Sequence, residues 1–270
     1  MKNRIYFFTG TGNSLHVAKH LATRLEDAEI IPINQNVSHI IPEGYERIGF
    51  VYPTYYWGMP AIVADFIRSA NFPEQDQCYY FVISTCGAIS GAAVPQARDH
   101  LQAQNIKLDF GMSLRMFGNA INFYNMRKGV KRSTQRSNRR IAQIVDMADS
   151  KRTNRIPRTS KPLQIVYGAF IKQVHNFDRK LWRSQDCNLC RICQSLCMAG
   201  NIDFKDGELD FKHQCQACVA CIQHCPQRAL NYARVTKNRR RYIHPEIQIK
   251  ELATYSASRD SIPRPTSLPN

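Results

Sequence analysis

Eight of the ten cysteines fall between positions 187 and 225, and their spacing repeats. Cys187, Cys190, Cys193 and Cys197 read C-x2-C-x2-C-x3-C. The same run returns 28 residues later as Cys215, Cys218, Cys221 and Cys225. Soft thiolates in such number hold iron in sulfide-bridged clusters, or zinc. Closely spaced triplets let a tight loop wrap one face of a cubane, and the fourth cysteine points away from that loop. Structural zinc sites use paired C-x2-C units with four ligands per metal, a form that a triplet plus one does not follow. In a reducing compartment such a dense set reads as a metal site rather than a disulfide framework. His213 and His224 flank ligand positions and read as satisfied surface histidines. Cys78 reads as packing and Cys86 as a small buried thiol, with a redox-active thiol as the alternative for Cys86.

A second group could bind phosphate. Thr9, Gly10, Thr11, Gly12, Asn13 and Ser14 follow a short apolar run and lead into a helical pattern. The hydroxyls of Thr9, Thr11 and Ser14, with freed backbone N–H groups, can surround an anion at a helix N-terminus. The spacing is neither G-x-G-x-x-G nor G-x4-G-K-[ST]. Two further loops follow strand-like runs. One holds Thr54, Tyr55, Tyr56, Trp57 and Gly58; the other holds Thr85, Cys86, Gly87 and Gly91. In an open α/β sheet such loops meet at the carboxyl ends of the strands. The aromatics at 55–57 can stack on a flat ring, and the glycines at 87 and 91 let backbone approach its edge. The plainer alternatives are a helix cap and ordinary loop packing.

The cysteine array resembles that of the bacterial two-cluster ferredoxins, and the first loop resembles the flavodoxin loop [ST]-x-T-G-x-[ST], which binds the phosphate of FMN. Together the chain resembles the iron–sulfur flavoproteins that fuse a flavodoxin-like domain to a two-[4Fe–4S] ferredoxin domain. The likeness spans about residues 1–125 and 165–250, including Gly118-Asn119-Ala120-Ile121-Asn122 and Tyr242-Ile243-His244-Pro245. It implies FMN and two [4Fe–4S] clusters. In such ferredoxins the fourth cysteine of each run ligates the other cluster. The resemblance therefore assigns Cys187, Cys190, Cys193 and Cys225 to one cluster and Cys215, Cys218, Cys221 and Cys197 to the second. Pro226 follows Cys225, as in the ferredoxin run; Met198 follows Cys197, a departure that bears on the potential and solvent access of the second cluster. The implied activity is electron transfer between FMN, the clusters and a redox partner. The alternative is an FMN-dependent reductase of a small-molecule substrate fed by its own clusters.

The elements that must hold these groups alternate. Strand patterns occupy 4–8, 29–33, 47–52, 78–85 and 107–116. Helical patterns occupy 14–25, 60–69, 92–103 and 133–150, with Pro60 expected at the first helical position. This predicts an α/β, flavodoxin-like, doubly wound parallel five-stranded sheet, followed by a small α+β two-cluster ferredoxin domain. The expected divisions are 1–150 for the FMN-binding domain, 151–184 for a linker and amphipathic helix, 185–250 for the ferredoxin domain and 251–270 for a disordered tail. Within the second division Leu163, Tyr167, Phe170, Val174, Phe177 and Leu181 form one apolar stripe at helical spacing, expected to pack on the protein's own domains and join them.

The 270 residues carry a formal net charge of +16, unevenly spread. Residues 1–110 hold 8 basic and 10 acidic groups, whereas residues 111–186 hold 17 and 4. That field suits an acidic redox protein. The run Arg127-Lys128-Gly129-Val130-Lys131-Arg132 lacks the interleaved aromatics and motifs of nucleic-acid binders. No apolar run approaches the ~18–20 residues that cross a bilayer. The apolar start is too short for a signal peptide, so the expected location is the cytoplasm.

Overall fold

The computed structural model describes residues 2–73 and 78–258. Five strands form one parallel sheet: β1 (Lys2–Phe7), β2 (Ala28–Pro32), β3 (Tyr45–Pro53), β4 (Tyr79–Cys86) and β5 (Phe110–Arg115). Their order is β2-β1-β3-β4-β5, the flavodoxin-like order, whose switch point lies between β1 and β3. Runs such as Ile48, Phe50, Val51 and Tyr52 or Phe81, Val82 and Ile83 are fully buried. Helices cover both faces of such a sheet, so its strands read as continuous apolar runs. The covering helices are α1 (Asn13–Arg24), α2 (Ala61–Ser69), α3 (Ala93–Gln102) and α4 (Val130–Asp149). Pro60 stands at the N-cap of α2, one place before its expected position. The flavodoxin-like fold is thus the one the alternation predicts.

The apolar stripe at 163–181 is not one helix. Helix α5 (Lys161–Ile171) carries its first half, a 3-10 turn (Val174–Lys180) the next part, and Leu181 opens strand β6 (Leu181–Arg183). Tertiary pairing overrides the periodicity. β6 pairs antiparallel with β9 (Leu230–Tyr232), and the Phe177 ring stacks on Tyr232 with centroids 4.1 Å apart. The stripe is buried only in its second half, and no residue of α5 is buried. Tyr167 donates its Oη–H to the Met59 carbonyl at 2.6 Å, Phe170 stacks on Tyr56 at 5.1 Å, and Val174, Phe177 and Leu181 share a second core with the cysteine-bearing segment.

That segment contains two short helices, α6 (Ile192–Ser195) and α7 (Ala220–Gln223), and a hairpin of β7 (Ile202–Lys205) with β8 (Glu208–Phe211). The expected tail from 251 is corrected at its start. Helix α8 (Ile249–Ala257) packs beside β2, with Leu252 and Tyr255 buried. Asn34 donates to the carbonyls of Tyr255 at 3.0 Å and Ser258 at 2.8 Å. Residues 259–270 lie outside the described residues. Among the described residues no helix is long and apolar enough to cross a membrane.

Candidate functional site

The loop at 9–14 leaves β1 and turns into α1 at the switch point. Gly12 adopts φ +96°, a left-handed conformation that favours glycine. A Cβ there would also sit 3.0 Å from Ile247 Cβ and 3.1 Å from His244 Cβ. Thr9, Thr11, Asn13 and Ser14 are buried. Gly12 N–H donates to Thr9 Oγ1 at 3.1 Å, Asn119 Nδ2 donates to Thr11 Oγ1 at 2.7 Å, and Ser14 Oγ meets Thr85 Oγ1 at 3.0 Å. The Thr9 and Thr11 hydroxyls act as acceptors in these bonds and keep their own protons to give. Among the described residues no protein acceptor takes the backbone N–H of Gly10, Thr11, Asn13 or Ser14. Convergent free donors at the head of a twelve-residue helix make an anion cradle. The donor set fits a phosphate with no cation in the loop.

A small pocket lined by Thr9, Thr11, Ser14, Thr54, Thr85 and Cys86 opens there. It shares Gly87 and Phe117 with a cavity of ≈ 850 Å³. Tyr124, Gly118 and the cations Arg115, Arg127, Lys128, Arg132 and Arg136 line that cavity. Among the described residues none of these five forms an ion pair. The basic segment thus lines an opening beside the 9–14 loop. Phe117, Tyr124 and Arg115 were not singled out from the sequence; Asn119 was visible only within the Gly118–Asn122 likeness.

The aromatics at 55–57 divide. Tyr55 meets Phe8 edge-on at 6.2 Å, and its Oη is buried without a hydrogen-bond partner. Tyr56 stacks on Phe170, and Trp57 is exposed. Thr54 Oγ1 bonds Ser84 Oγ at 2.8 Å. Gly58 faces the Tyr167 ring, Gly91 the Trp57 backbone, and Gly87 lies against Gly118, where a Cβ would be 2.8 Å from its Cα. These three glycines let loops approach one another. Cys86 ends β4 beside the cradle, and burial raises its thiol pKa against the lowering pull of Arg115.

The cysteines form two groups that exchange their fourth members. Cys193 stands within electrostatic reach of Cys225, Cys190 and Cys187. Those four line one small pocket. Cys221 stands within reach of Cys218, Cys215 and Cys197, and also of Cys193 in the first group. None of the ten cysteines is in a disulfide. Burial pushes the Cys193 thiol up to about 11 and Cys218 to about 12. A bound cationic metal would favour their thiolate form. Among the described residues no three cysteine sulfurs lie within 4.8 Å of one another. A tetrahedral zinc with Zn–S near 2.3 Å would bring its sulfurs to about 3.8 Å.

The backbone repeats with the sulfurs. Leu189 and Arg191 adopt φ +56° and +57°; Ala217 and Val219, 28 positions later, adopt +51° and +55°. A β-branched residue such as Val219 is rare there. Non-glycine residues in this region cost on the order of 1–3 kcal/mol each and persist where surroundings over-determine them. Alternating left- and right-handed residues turn successive N–H groups inward, a form common at iron–sulfur sites. Asn201 N–H donates to Cys197 Sγ at 3.2 Å, and its counterpart Ala229 N–H to Cys225 Sγ at 3.2 Å.

The two sites touch. A Cβ on Gly10 would overlap the Cys218 carbonyl oxygen and stand 3.2 Å from Tyr55 Oη. Cys190, in the other group, is exposed. Met198 is buried in the core of the sheet domain, and its carbonyl accepts from Gln35 N–H at 2.8 Å. Where the other run has proline, this one thus has a side chain that anchors the cysteine segment to the sheet. His213 is partnered by Asp178 at 2.9 Å. His224 departs from the expected surface position: it is buried, Nδ1 bonds the Ala220 carbonyl at 2.9 Å, and Nε2 has no partner.

No family model and no curated relative matches the chain. Among solved structures it is similar to rubredoxin oxygen:oxidoreductase from Desulfovibrio gigas (12% identity, TM-score 0.38), where the match covers 56% of this chain but only 36% of that one. It is similar to a flavodoxin of Streptococcus pneumonia TIGR4 (13%, TM-score 0.40), covering 56% of this chain and 99% of that one. A third is an FMN-dependent NADH-azoreductase from Bacillus anthracis in complex with FMN (10%, TM-score 0.39), covering 55% and 100%. The strand order, independently of these likenesses, defines the fold as flavodoxin-like.

Proposed function

We propose that this protein is an iron–sulfur flavoprotein that binds FMN at the 9–14 loop and one [4Fe–4S] cluster in each cysteine group, and passes electrons to or from an acidic redox protein. The observation that carries the reading is the pair of thiol groups with exchanged fourth members, one of them in contact with the phosphate cradle. When bound, FMN supplies two-electron chemistry and the clusters supply single-electron steps.

The chain's own residues do the rest. Gly10, Thr11, Asn13 and Ser14 offer donors to a phosphate. Tyr242 donates to Asn13 Oδ1 at 2.7 Å, and His244 N–H to the Thr11 carbonyl at 2.9 Å, so the segment after the cysteines pins the loop. N–H groups aimed at Cys197 and Cys225 favour charge on sulfur. Cys190 is the exposed cysteine of one group and Cys218 of the other meets the loop at Gly10, a layout suited to conducting between a surface partner and a flavin.

Arg127, Lys128, Arg132 and Arg136 surround the opening beside the cradle and suit an acidic partner surface. The same cavity favours the second reading, reduction of a small anionic substrate at the flavin. Reversing charge with Arg132→Glu and Arg136→Glu should slow reduction by the native partner at least tenfold at low salt, and the gap should shrink as salt rises. Stopped-flow absorbance reads this; an unchanged, salt-independent rate removes the docking role.

A further inference from the structure

Helix α1 carries His16 and His20 four residues apart, so both leave the same face. Residues 244–246 lie against that face. The His16 ring stacks on His244 with centroids 4.1 Å apart and meets His20 edge-on at 4.5 Å. Glu246 Oε2 stands 3.8 Å from His16 Nδ1. One ligand atom from each of His16, His20 and Glu246 lies within 4.8 Å of the other two.

The hydrogen bonds fix the donor set. Asn138 on α4 gives its Nδ2–H to Glu246 Oε1 at 3.0 Å, so its Oδ1 accepts from His16 Nε2–H at 2.9 Å. With Nε2 carrying the hydrogen, His16 Nδ1 faces the Glu246 carboxylate. A divalent ion between the two would satisfy both. His20 Nε2 is buried with no hydrogen-bond partner. A histidine oriented through its other nitrogen by an amide oxygen is the arrangement metal-binding histidines use. Lys19 stands near and opposes a cation, but Glu251 pairs it at 2.7 Å.

We propose that His16, His20 and Glu246 bind one divalent ion of the zinc type, separate from the thiol groups. Two imidazoles and a carboxylate are a set that zinc takes with water in the fourth position. The ion would tie α1, which starts at the phosphate cradle, to the 242–247 segment that pins the cradle. It would act as a clamp on the loop and has no place in the electron-transfer reading.

The test counts metal on the full chain, purified anaerobically and equilibrated with excess Zn2+. Because the thiols can also take zinc, the readout is the difference between wild type and the variants His20→Ala and Glu246→Gln. Wild type should hold about one more zinc than either variant at equal iron content. Its extra zinc should show nitrogen and oxygen neighbours at about 2.0–2.2 Å in the zinc X-ray absorption spectrum. His20 is partly exposed and Glu246 is exposed, so circular dichroism should find both variants folded. Equal zinc in all three folded chains, or an extra zinc with sulfur neighbours at about 2.3 Å, overturns the site.

Discussion

Replacing Cys197 by alanine should cost the protein about half its iron, from roughly eight atoms per chain to roughly four. The informative result is what happens next. Cys197 stands with Cys215, Cys218 and Cys221, although its own run contains Cys187, Cys190 and Cys193. Adding Cys221→Ala to Cys197→Ala should therefore remove nothing more, because both serve one site. Adding Cys193→Ala instead should take the iron close to zero. Non-additivity identifies partners in one unit, and additivity separates units. Iron and sulfide analysis of anaerobically purified chains reads the outcome. If the second pair of substitutions spares half the iron and the first pair abolishes it, the exchange of fourth cysteines is wrong.

Gly10→Ala should be the most damaging single change in the phosphate loop. The new methyl would overlap the Cys218 carbonyl oxygen and press toward Tyr55 Oη. Both the loop and Cys218's segment are backbone at that contact, so neither yields cheaply. Forced overpacking costs typically 1–3 kcal/mol, and 1.4 kcal/mol is a tenfold loss of affinity. FMN binding, followed by quenching of flavin fluorescence, should weaken about fivefold or more, and the iron assigned to the Cys218 group should fall with it. Gly168→Ala is the control, since a Cβ there meets nothing within 4 Å. Flavin affinity unchanged by Gly10→Ala would mean that the two sites do not share this contact.

Much of this architecture is written locally. The five strands follow from runs such as residues 78–85, apolar on both faces, and α1 follows from Leu15, Val17, Ala18, Leu21 and Leu25, all buried. The two-fold backbone repeat was legible because 28 residues separate every equivalent cysteine. What stayed hidden was decided by distant partners. Helical spacing from Leu163 to Leu181 gave no sign that β9 would draw Leu181 into a strand. Serine near the C-terminus suggested a tail, yet the last turns of α8 are held by Asn34, more than two hundred residues away. The aromatics at 55–57 looked like one stacking surface, but Phe170 claims Tyr56. His16 and Glu246 meet only because the segment after the cysteines returns to α1. Side-chain chemistry at fixed spacing is readable from sequence, whereas the choice of neighbour across the fold is set by packing.

The most direct test is an anaerobic reductive titration of the reconstituted chain with dithionite, followed by visible absorbance and electron paramagnetic resonance. A chain holding one flavin and two one-electron clusters should consume about four electrons. Its yellow absorbance should bleach, and signals from two reduced iron–sulfur centres should grow in. Uptake of only about two electrons without such signals, or a colourless zinc-loaded protein that takes up none, would contradict the joining of these cofactors in one polypeptide.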